Sequence, residues 1–191
     1  MKITELINLK SGSPQFRIKE SILQESPIYK FYGQAELEED LAGVQTYKRE
    51  NKQIRTLDEV TTLKKGDLIF SLISGTASIV SNVHDNYLFT QNYVMLDIER
   101  GIDRNYLIYL LNENKTITHQ FHDGLQGSMV LKYTVKQLRE LIIPELPTLE
   151  KQQIIGNIYL KQLHLQAIRE RMAKNETKLN LLKLSEKNKY E

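Results

Sequence analysis

The chain has 191 residues, of which 40% are hydrophobic and 26% charged, and it contains no cysteine and no tryptophan. This composition suits one ordinary domain with a short addition and excludes a disordered or fibrous protein. The lack of cysteine excludes disulfides, thiolate zinc sites, iron–sulfur clusters and cysteine nucleophiles. The apolar runs, such as Leu68–Phe70, are too short to cross a membrane, and residues 1–10 lack the apolar stretch of a signal peptide. We therefore expect a cytoplasmic protein with no membrane partner.

The net charge of +2 is unevenly distributed. Residues 1–148 contain 17 Lys and Arg against 19 Asp and Glu, whereas residues 149–191 contain 9 against 5. A mildly acidic globular part is not an obvious nucleic-acid binder. Any DNA site there must rest on local clusters of basic and polar side chains.

The first region predicts strands mixed with short helices. Asp67–Ile73 follows a Lys-Lys-Gly turn and predicts a buried strand, Ala77–Val83 predicts a second strand, and Tyr93–Ile98 a third. The spacing of leucines predicts a helix over Arg104–Asn112. Val135–Leu141 indicates a short helix or turn.

The chain then runs into an edge-strand pattern at Ile142–Pro144. Because the elements show neither a βαβ rhythm nor a fixed repeat, the predicted fold class is α+β. All four prolines and eight of the nine glycines lie before residue 149. We therefore predict a globular domain over residues 1–148 and a long helix for dimerisation over residues 149–191.

The long helix carries the clearest pattern in the sequence. Thr148 is its predicted N-cap, and a helix from 149 to about 187 would be roughly 55–60 Å long. It is too long to lie wholly on this domain, so most of its apolar stripe needs a partner, and we predict an intermolecular coiled coil. The alternative is a helix folded against its own domain. The predicted coiled-coil residues are Ile154, Ile158, Leu165, Ile168, Met172, Leu179 and Leu182, interrupted by the polar Lys161 and Asn175.

No pattern of residues predicts catalysis. His119 and His122 could share a helix face and bind a metal with Asp123, but the glycines that follow favour a solvated loop pair. The serines beside Gly75 lack a nucleophile elbow, and the Gly124–Gly127 segment matches no phosphate-binding fingerprint. The acidic run of residues 36–40 is typical of solvated surface. We expect no catalytic residue, metal or cofactor in this chain.

Three local clusters hold polar residues that suit DNA contact. Lys and Arg neutralise phosphates, while Asn, Gln and Ser can read base edges. Each cluster taken alone is more typical of solvated surface than of DNA contact. The candidate DNA-binding residues are Lys48, Arg49, Lys52, Arg55, Ser74, Asn92, Gln126, Ser128, Lys132 and Tyr133.

Several short motifs follow one another along the chain. They are Ser11-Gly12-Ser13-Pro14, Lys65–Ser71 with Gly75 after it, Thr90-Gln91-Asn92, and Gly127-Ser128. In this order they resemble the target recognition domain of type I restriction-modification specificity subunits. The most specific match is Leu138–Gln153, where an Ile-Pro segment passes straight into a long helix. One residue separates Glu150 from Gln152 here, which is a small departure from the family pattern.

The resemblance implies a non-catalytic subunit that reads double-stranded DNA. Full-length members carry two recognition domains and two long antiparallel helices, so a chain with one of each resembles a half-size member. Two copies joined as a homodimer would rebuild the arrangement and read an inverted repeat. The implied partners are methyltransferase subunits, which use S-adenosylmethionine to methylate adenine, and a restriction subunit, which uses ATP and Mg.

Two other interpretations stay open from the sequence. The mildly acidic domain also suits a coiled-coil adaptor, or decoy of such a complex, that binds protein and not DNA. The third interpretation is an enzyme with a metal at His119 and His122. Neighbouring genes for an adenine methyltransferase would favour the DNA-reading subunit over the adaptor.

Overall fold

A four-stranded antiparallel sheet, in the order β1-β6-β4-β5, forms the centre of the molecule, and β2 and β3 pair as a second antiparallel sheet. The computed structural model describes residues 1–45, 51–123 and 132–187. The strands are β1 (Ile7–Ser11), β2 (Ile28–Lys30), β3 (Gln53–Arg55), β4 (Leu68–Ser71), β5 (Ala77–Ile79) and β6 (Tyr93–Ile98).

Helices complete the α+β fold that the sequence predicts. They are α1 (Gln34–Ala42), α2 (Arg104–Glu113), α3 (Lys115–Asp123), α4 (Val135–Glu140) and α5 (Leu149–Lys187). Within the described residues, no helix combines the length and apolar character needed to span a membrane.

The β4 strand is buried on both faces, which explains its uninterrupted apolar sequence. Phe70 packs into a core with residues of α2 and α3, whereas Ile69 packs into a second core with Leu63 and Phe89. The predicted buried strand is therefore confirmed, but it ends at Ser71 and not at Ile73. The Ser71 hydroxyl accepts hydrogen bonds from the backbone N–H groups of Ile73 and Ser74, both at 3.2 Å, and this folds the chain into a turn.

The other predicted elements agree with the structure to different degrees. The Tyr93–Ile98 strand is confirmed at both ends, and the predicted helix over residues 104–112 is one residue longer. The predicted strand at 77–83 is wrong beyond Ile79, because residues 82–84 form a 3-10 turn that Ser81 caps. The predicted edge strand at Ile142–Pro144 is reduced to a single bridge between Ile142 and Lys2.

Side-chain caps explain where α2 and α4 begin. The Asp103 carboxylate accepts hydrogen bonds from the backbone N–H groups of Asn105 and Tyr106, both at 3.0 Å. The Thr134 hydroxyl accepts from the Gln137 N–H at 3.1 Å, and the Gln137 side chain accepts from the Thr134 N–H at 2.8 Å. The sequence indicated either a short helix or a turn here, and this reciprocal capping box stabilises a helix over residues 135–140.

The long helix α5 packs through one face on the globular part of its own chain. Gln152 and Gly156 are buried, and Tyr159 is partly buried against the main core. A Cβ at Gly156 would lie 2.4 Å from the backbone nitrogen of Tyr106, so α5 and the start of α2 approach as closely as glycine permits. On this face, α5 therefore folds against its own domain, which was the alternative considered from the sequence. The predicted coiled-coil stripe lies elsewhere on the helix.

Candidate nucleic-acid interface

One edge of the four-stranded sheet gathers several loops. β1 and β4 end there and β6 begins there, since Ser11 pairs with Val94 and Ser71 pairs with Tyr93. We call this edge the loop end. It comprises residues 12–17, 72–76, 90–92 and 132–134.

Gly12 fixes the first two loops against each other. A Cβ at this position would lie 2.4 Å from the Thr90 carbonyl oxygen, so only glycine allows the approach. Immediately after it, the Ser13 carbonyl accepts a hydrogen bond from the Gln91 N–H at 3.1 Å. The Ser-Gly-x-Pro motif and the Thr-Gln-Asn turn, which are far apart in the sequence, thus form one structural unit.

Gly75 and Tyr133 join two further loops. Gly75 has a left-handed backbone conformation with φ of 70°, and a Cβ there would lie 2.5 Å from the Tyr133 ring. The Tyr133 N–H donates to the Leu72 carbonyl at 2.9 Å, and its ring packs edge-on against Phe121. Tyr133 therefore holds the 72–76 turn in place, whatever else it contacts.

A direct hydrogen bond brings two candidate DNA-contact residues together. The Lys132 ammonium donates to the side-chain oxygen of Asn92 at 2.6 Å, and both residues are half-buried. The Asn92 carbonyl also accepts from the Leu72 N–H at 2.8 Å. Because an ammonium has three donors, Lys132 can hold Asn92 and contact a phosphate at the same time. Ser74 is exposed at the tip of the neighbouring turn.

Lys52 and Arg55 lie apart from this group, at the two-stranded sheet. The Lys52 ammonium is exposed and lies 5.4 Å from the centre of the Phe31 ring. The half-buried Arg55 guanidinium donates to the backbone carbonyls of Leu23 and Gln24, so it holds the loop before β2. Four other candidates lie outside the described residues: Lys48, Arg49, Gln126 and Ser128.

Sequence reasoning missed the 3-10 turn of residues 15–17 at the loop end. Phe16 is 78% exposed there, and the Arg17 guanidinium carbon lies 5.7 Å from the centre of its ring. The signal was available, since these residues directly follow Pro14 of the Ser-Gly-x-Pro motif. No charge cluster marks the segment, which is why it escaped a search for basic clusters.

The predicted solvated loop at His119 and His122 is wrong, because both residues lie on α3. Ile117 and Phe121 of this helix are buried, and the Asn114 side chain accepts the N–H of Thr116 at its start, which together stabilise the helix. Both histidines are exposed. Among the described residues, no three His, Asp or Glu side chains form a group able to hold a metal.

The acidic run of residues 36–40 is likewise not simply solvated surface. It lies on α1, and the Asp40 side chain is only 1% exposed. Its carboxylate contacts Nδ1 of the buried His84 at 2.8 Å and accepts from the Tyr32 hydroxyl at 2.9 Å. A second carboxylate, that of Glu39, lies 3.6 Å from Nε2 of His84. No local sequence pattern indicates this pairing, because His84 is 44 residues from Asp40.

Competing effects set the pKa of His84. Burial alone lowers it, but the hydrogen bond and charge of Asp40, with the charges of Glu36 and Glu39, outweigh burial and raise the pKa above its usual value. For Tyr32, burial and then the Asp40 carboxylate raise the pKa, so the phenol stays a hydrogen-bond donor. The hydrogen-bonded cluster of His84, Asp40 and Tyr32 anchors α1 to the 82–84 turn.

The second candidate surface is the stripe along α5. All described side chains of residues 168–186 are exposed, and so are the stripe residues before them. Leu181 and Leu184, which lie off the predicted stripe, are exposed as well. The exposed residues of the predicted stripe are Ile154, Ile158, Leu165, Ile168, Met172, Leu179 and Leu182.

Comparison with protein families finds one matching model, the type I restriction modification DNA specificity domain, over residues 1–179. A search of curated protein sequences finds no significant match. Solved structures with a similar fold include the HsdS subunit from Thermoanaerobacter tengcongensis, at 19% identity and a TM-score of 0.57 over 96% of this chain. The type I restriction-modification S subunit from M. genitalium is 18% identical, with a TM-score of 0.51 over 95% of this chain.

A third similar chain comes from a structural study of complex assembly and conformational transition of the type I R-M system. It is 20% identical, with a TM-score of 0.59 over 96% of this chain. Our chain covers only 41–42% of these three structures. At these identities the likeness establishes the fold. More than half of each of those chains lies beyond the matched part.

Proposed function

The chain belongs to the family of type I restriction-modification DNA specificity domains, and from this premise we propose that it is a DNA sequence-recognition subunit. It binds duplex DNA in the cytoplasm through the loop end and carries no catalytic residue of its own. It directs methyltransferase subunits, which modify adenine with S-adenosylmethionine, to a two-part site. A restriction subunit with ATP and Mg completes the complex when DNA is cleaved.

The observation that carries this proposal is the convergence of four loop segments at the loop end. Each segment brings polar side chains, and two glycines that tolerate no Cβ hold the segments together. Base readout needs short polar side chains on a rigid support, with cations beside them for the phosphates. Asn92 and Ser74 suit the first role and Lys132 suits the second.

The exposed stripe of α5 supports a dimer as the reading unit. This chain spans about two-fifths of the similar structures, so more than half of each lies beyond the matched part. We assign the place of that further part to a second copy of this chain, whose α5 covers the stripe. An identical pair has two-fold symmetry, so its DNA site is an inverted repeat.

The polar interruptions of the stripe support an antiparallel pair. Lys161 and Asn175 lie seven residues before and seven residues after Ile168. A parallel in-register pair sets Lys161 against the same lysine of the second copy, and like charges repel. An antiparallel pair centred on Ile168 sets Lys161 against Asn175 and Glu176, so polar faces polar and cation faces anion.

The first experiment combines selection of duplexes from a random pool with light scattering. We expect the purified chain to have a mass of about 45 kDa, twice its 22.3 kDa, and to enrich an inverted repeat. A chain that stays monomeric, ignores the methyltransferase subunit and enriches no sequence contradicts the proposal. The protein-binding adaptor would then take its place.

A matched pair of lysines tests the loop end. Lys132→Gln should weaken binding to all duplexes several-fold and lower the salt dependence by about one unit of slope per chain, as loss of a phosphate contact does. Lys136, exposed on α4 and 3.9 Å from Glu140, is the control, and Lys136→Gln should change neither. Equal salt slopes for Lys132→Gln and the wild type, measured by fluorescence anisotropy, would remove Lys132 from the interface.

A further inference from the structure

The chain between β1 and β2 connects the two places where candidate DNA-contact residues lie. Within the loop end, Ser13 bridges to Thr90, and further along, the chain reaches β3 at Ser21, whose N–H donates to the Arg55 carbonyl at 2.7 Å. Between these anchors it makes the 3-10 turn of residues 15–17, where the Arg17 N–H donates to the Pro14 carbonyl at 3.0 Å. The turn is therefore the part of the loop end that faces the two-stranded sheet along the chain.

The side chains of this turn combine a base-sized apolar surface with positive charge. Phe16 is 78% exposed, and Arg17 and Lys19 beside it are exposed too. A single exposed apolar residue is common on protein surfaces and by itself indicates nothing. Here, however, the ring adjoins the Arg17 guanidinium at 5.7 Å and stands on a support that Gly12 and Ser13 hold rigid.

A neighbouring carboxylate binds the backbone of this segment. Asp58 accepts the backbone N–H of Lys19 at 2.7 Å, which also fixes the chain just after the turn. The turn thus presents cations and an aromatic ring outward. This chemistry suits a nucleic acid, whose phosphates attract arginine and whose bases accept apolar contact from phenylalanine.

We propose that Phe16 contacts the bases of the target duplex and contributes to sequence discrimination, while Arg17 holds the adjacent phosphate. This inference rests on the proposed function, because it assigns a specificity residue within the same DNA interface. The Phe16 ring contributes discrimination between sequences, and the Arg17 guanidinium contributes affinity for any sequence.

The test compares two duplexes, one that the wild-type chain selects from a random pool and one with the same bases in scrambled order. Phe16→Ala should weaken binding to the selected duplex about tenfold and leave the scrambled duplex unchanged. Arg17→Gln should weaken both by a similar factor and lower the salt slope by about one per chain. Ile22→Ala is the matched control, because Ile22 is 97% exposed with no place at the loop end, and it should bind like the wild type.

Three results would overturn the inference. The first is that Phe16→Ala binds the selected duplex as tightly as the wild type does. The second is that Phe16→Ala loses the same affinity for both duplexes. The third is that the variant binds DNA normally but no longer binds the methyltransferase subunit, which would identify a protein contact instead. Unchanged thermal melting of the variants shows that folding is not the cause. A wild-type chain that selects no sequence would refute the proposed function itself, whereas selection that survives Phe16→Ala would refute this inference alone.

Discussion

Residues 149–167 of α5 pack through one face on the globular part of their own chain, whereas the side chains of residues 168–186 are all exposed, although Arg171 donates to the Gln45 carbonyl at 3.4 Å. Leucine is common in both halves, but the first half has four Gln and three charged residues, whereas the second half has no Gln and eight charged residues. The surface opposite differs as well. In the first half, the buried Gln152 side chain accepts the Asp103 N–H at 2.9 Å and donates to the Pro147 carbonyl at 2.8 Å.

Two faces of α5 also differ in what they contact. The face that docks contains Gln152, Gly156 and Tyr159, which interrupt any simple apolar pattern. The heptad stripe that the sequence displays is the face that the chain leaves exposed. A regular apolar stripe therefore marks, in this protein, the contact that the chain does not make with itself.

Introduced cysteines give the largest expected contrast between the halves, because the native chain has none. In the antiparallel pair, Ile168→Cys lies at the two-fold axis and should form a disulfide between copies under mild oxidation. Ile158→Cys should not, since its two copies would lie about 30 Å apart and a disulfide needs Cα atoms within about 7 Å. Non-reducing gels measure both.

Two further cysteine variants complete this test. Mixing Ile158→Cys with Leu179→Cys should restore the crosslink, and Ala173→Cys on the outer face should give none. Crosslinking of Ile158→Cys on its own would contradict the antiparallel register and favour a parallel pair. Absence of every crosslink would mean that the second half of α5 does not pair at all.

Gly156 tests the docking of the first half. Gly156→Leu places a side chain where even a Cβ lies 2.4 Å from the backbone of α2, and the expected loss is about 3 kcal/mol in the free energy of unfolding. Urea denaturation measures it in a chain that also carries Leu165→Glu and Leu179→Glu, which keep it monomeric. Ala173→Leu, in the exposed half, is the matched control and should change stability by less than about 0.5 kcal/mol. Similar losses for both variants would abolish the distinction between the halves.

The elements that can be predicted from the sequence are those with a long or regular apolar pattern. The bounds of α5 and of Tyr93–Ile98 were predictable, because long or regular apolar patterns identify such elements without knowledge of their partners. β1, β2 and β3 were not assigned, since β2 and β3 have three residues each and depend on pairing for their identity. Short strands carry too little local pattern.

Several residues of the candidate interface could be named from the sequence, but their positions in the fold could not. Ser74, Asn92, Lys132 and Tyr133 do meet at the loop end, whereas Lys52 and Arg55 lie at the other sheet. Phe16 and Arg17 were missed because they do not lie in a cluster of basic residues, and the exposure of a single aromatic ring is not visible in the sequence. Asp40 was misjudged because its burial depends on His84, which no local pattern links to it.

The smallest expected effect concerns the support beneath the first half of α5. The backbone carbonyl of Ala42, at the end of α1, contacts the ring nitrogen Nδ1 of His164 at 3.1 Å, so α1 braces α5, and Asp40 with His84 anchors α1. Because the pKa of His84 is raised in the folded state, protonation stabilises the fold. This contribution is complete below the unfolded pKa of about 6.5 and is lost as pH rises through the raised value.

We therefore expect the melting temperature of the monomeric variant to fall as pH rises from about 6.5. His84→Asn should be less stable than its parent at low pH and should lack most of this decline. His119→Asn, at an exposed position on α3, should keep it. In the dimeric chain, the Ile168→Cys crosslink should form equally well across the same range once thiol ionisation is matched, because Ile168 is exposed and makes no contact with His84 or Asp40. A crosslink that weakened in step with the melting temperature would mean that the two halves of α5 are coupled.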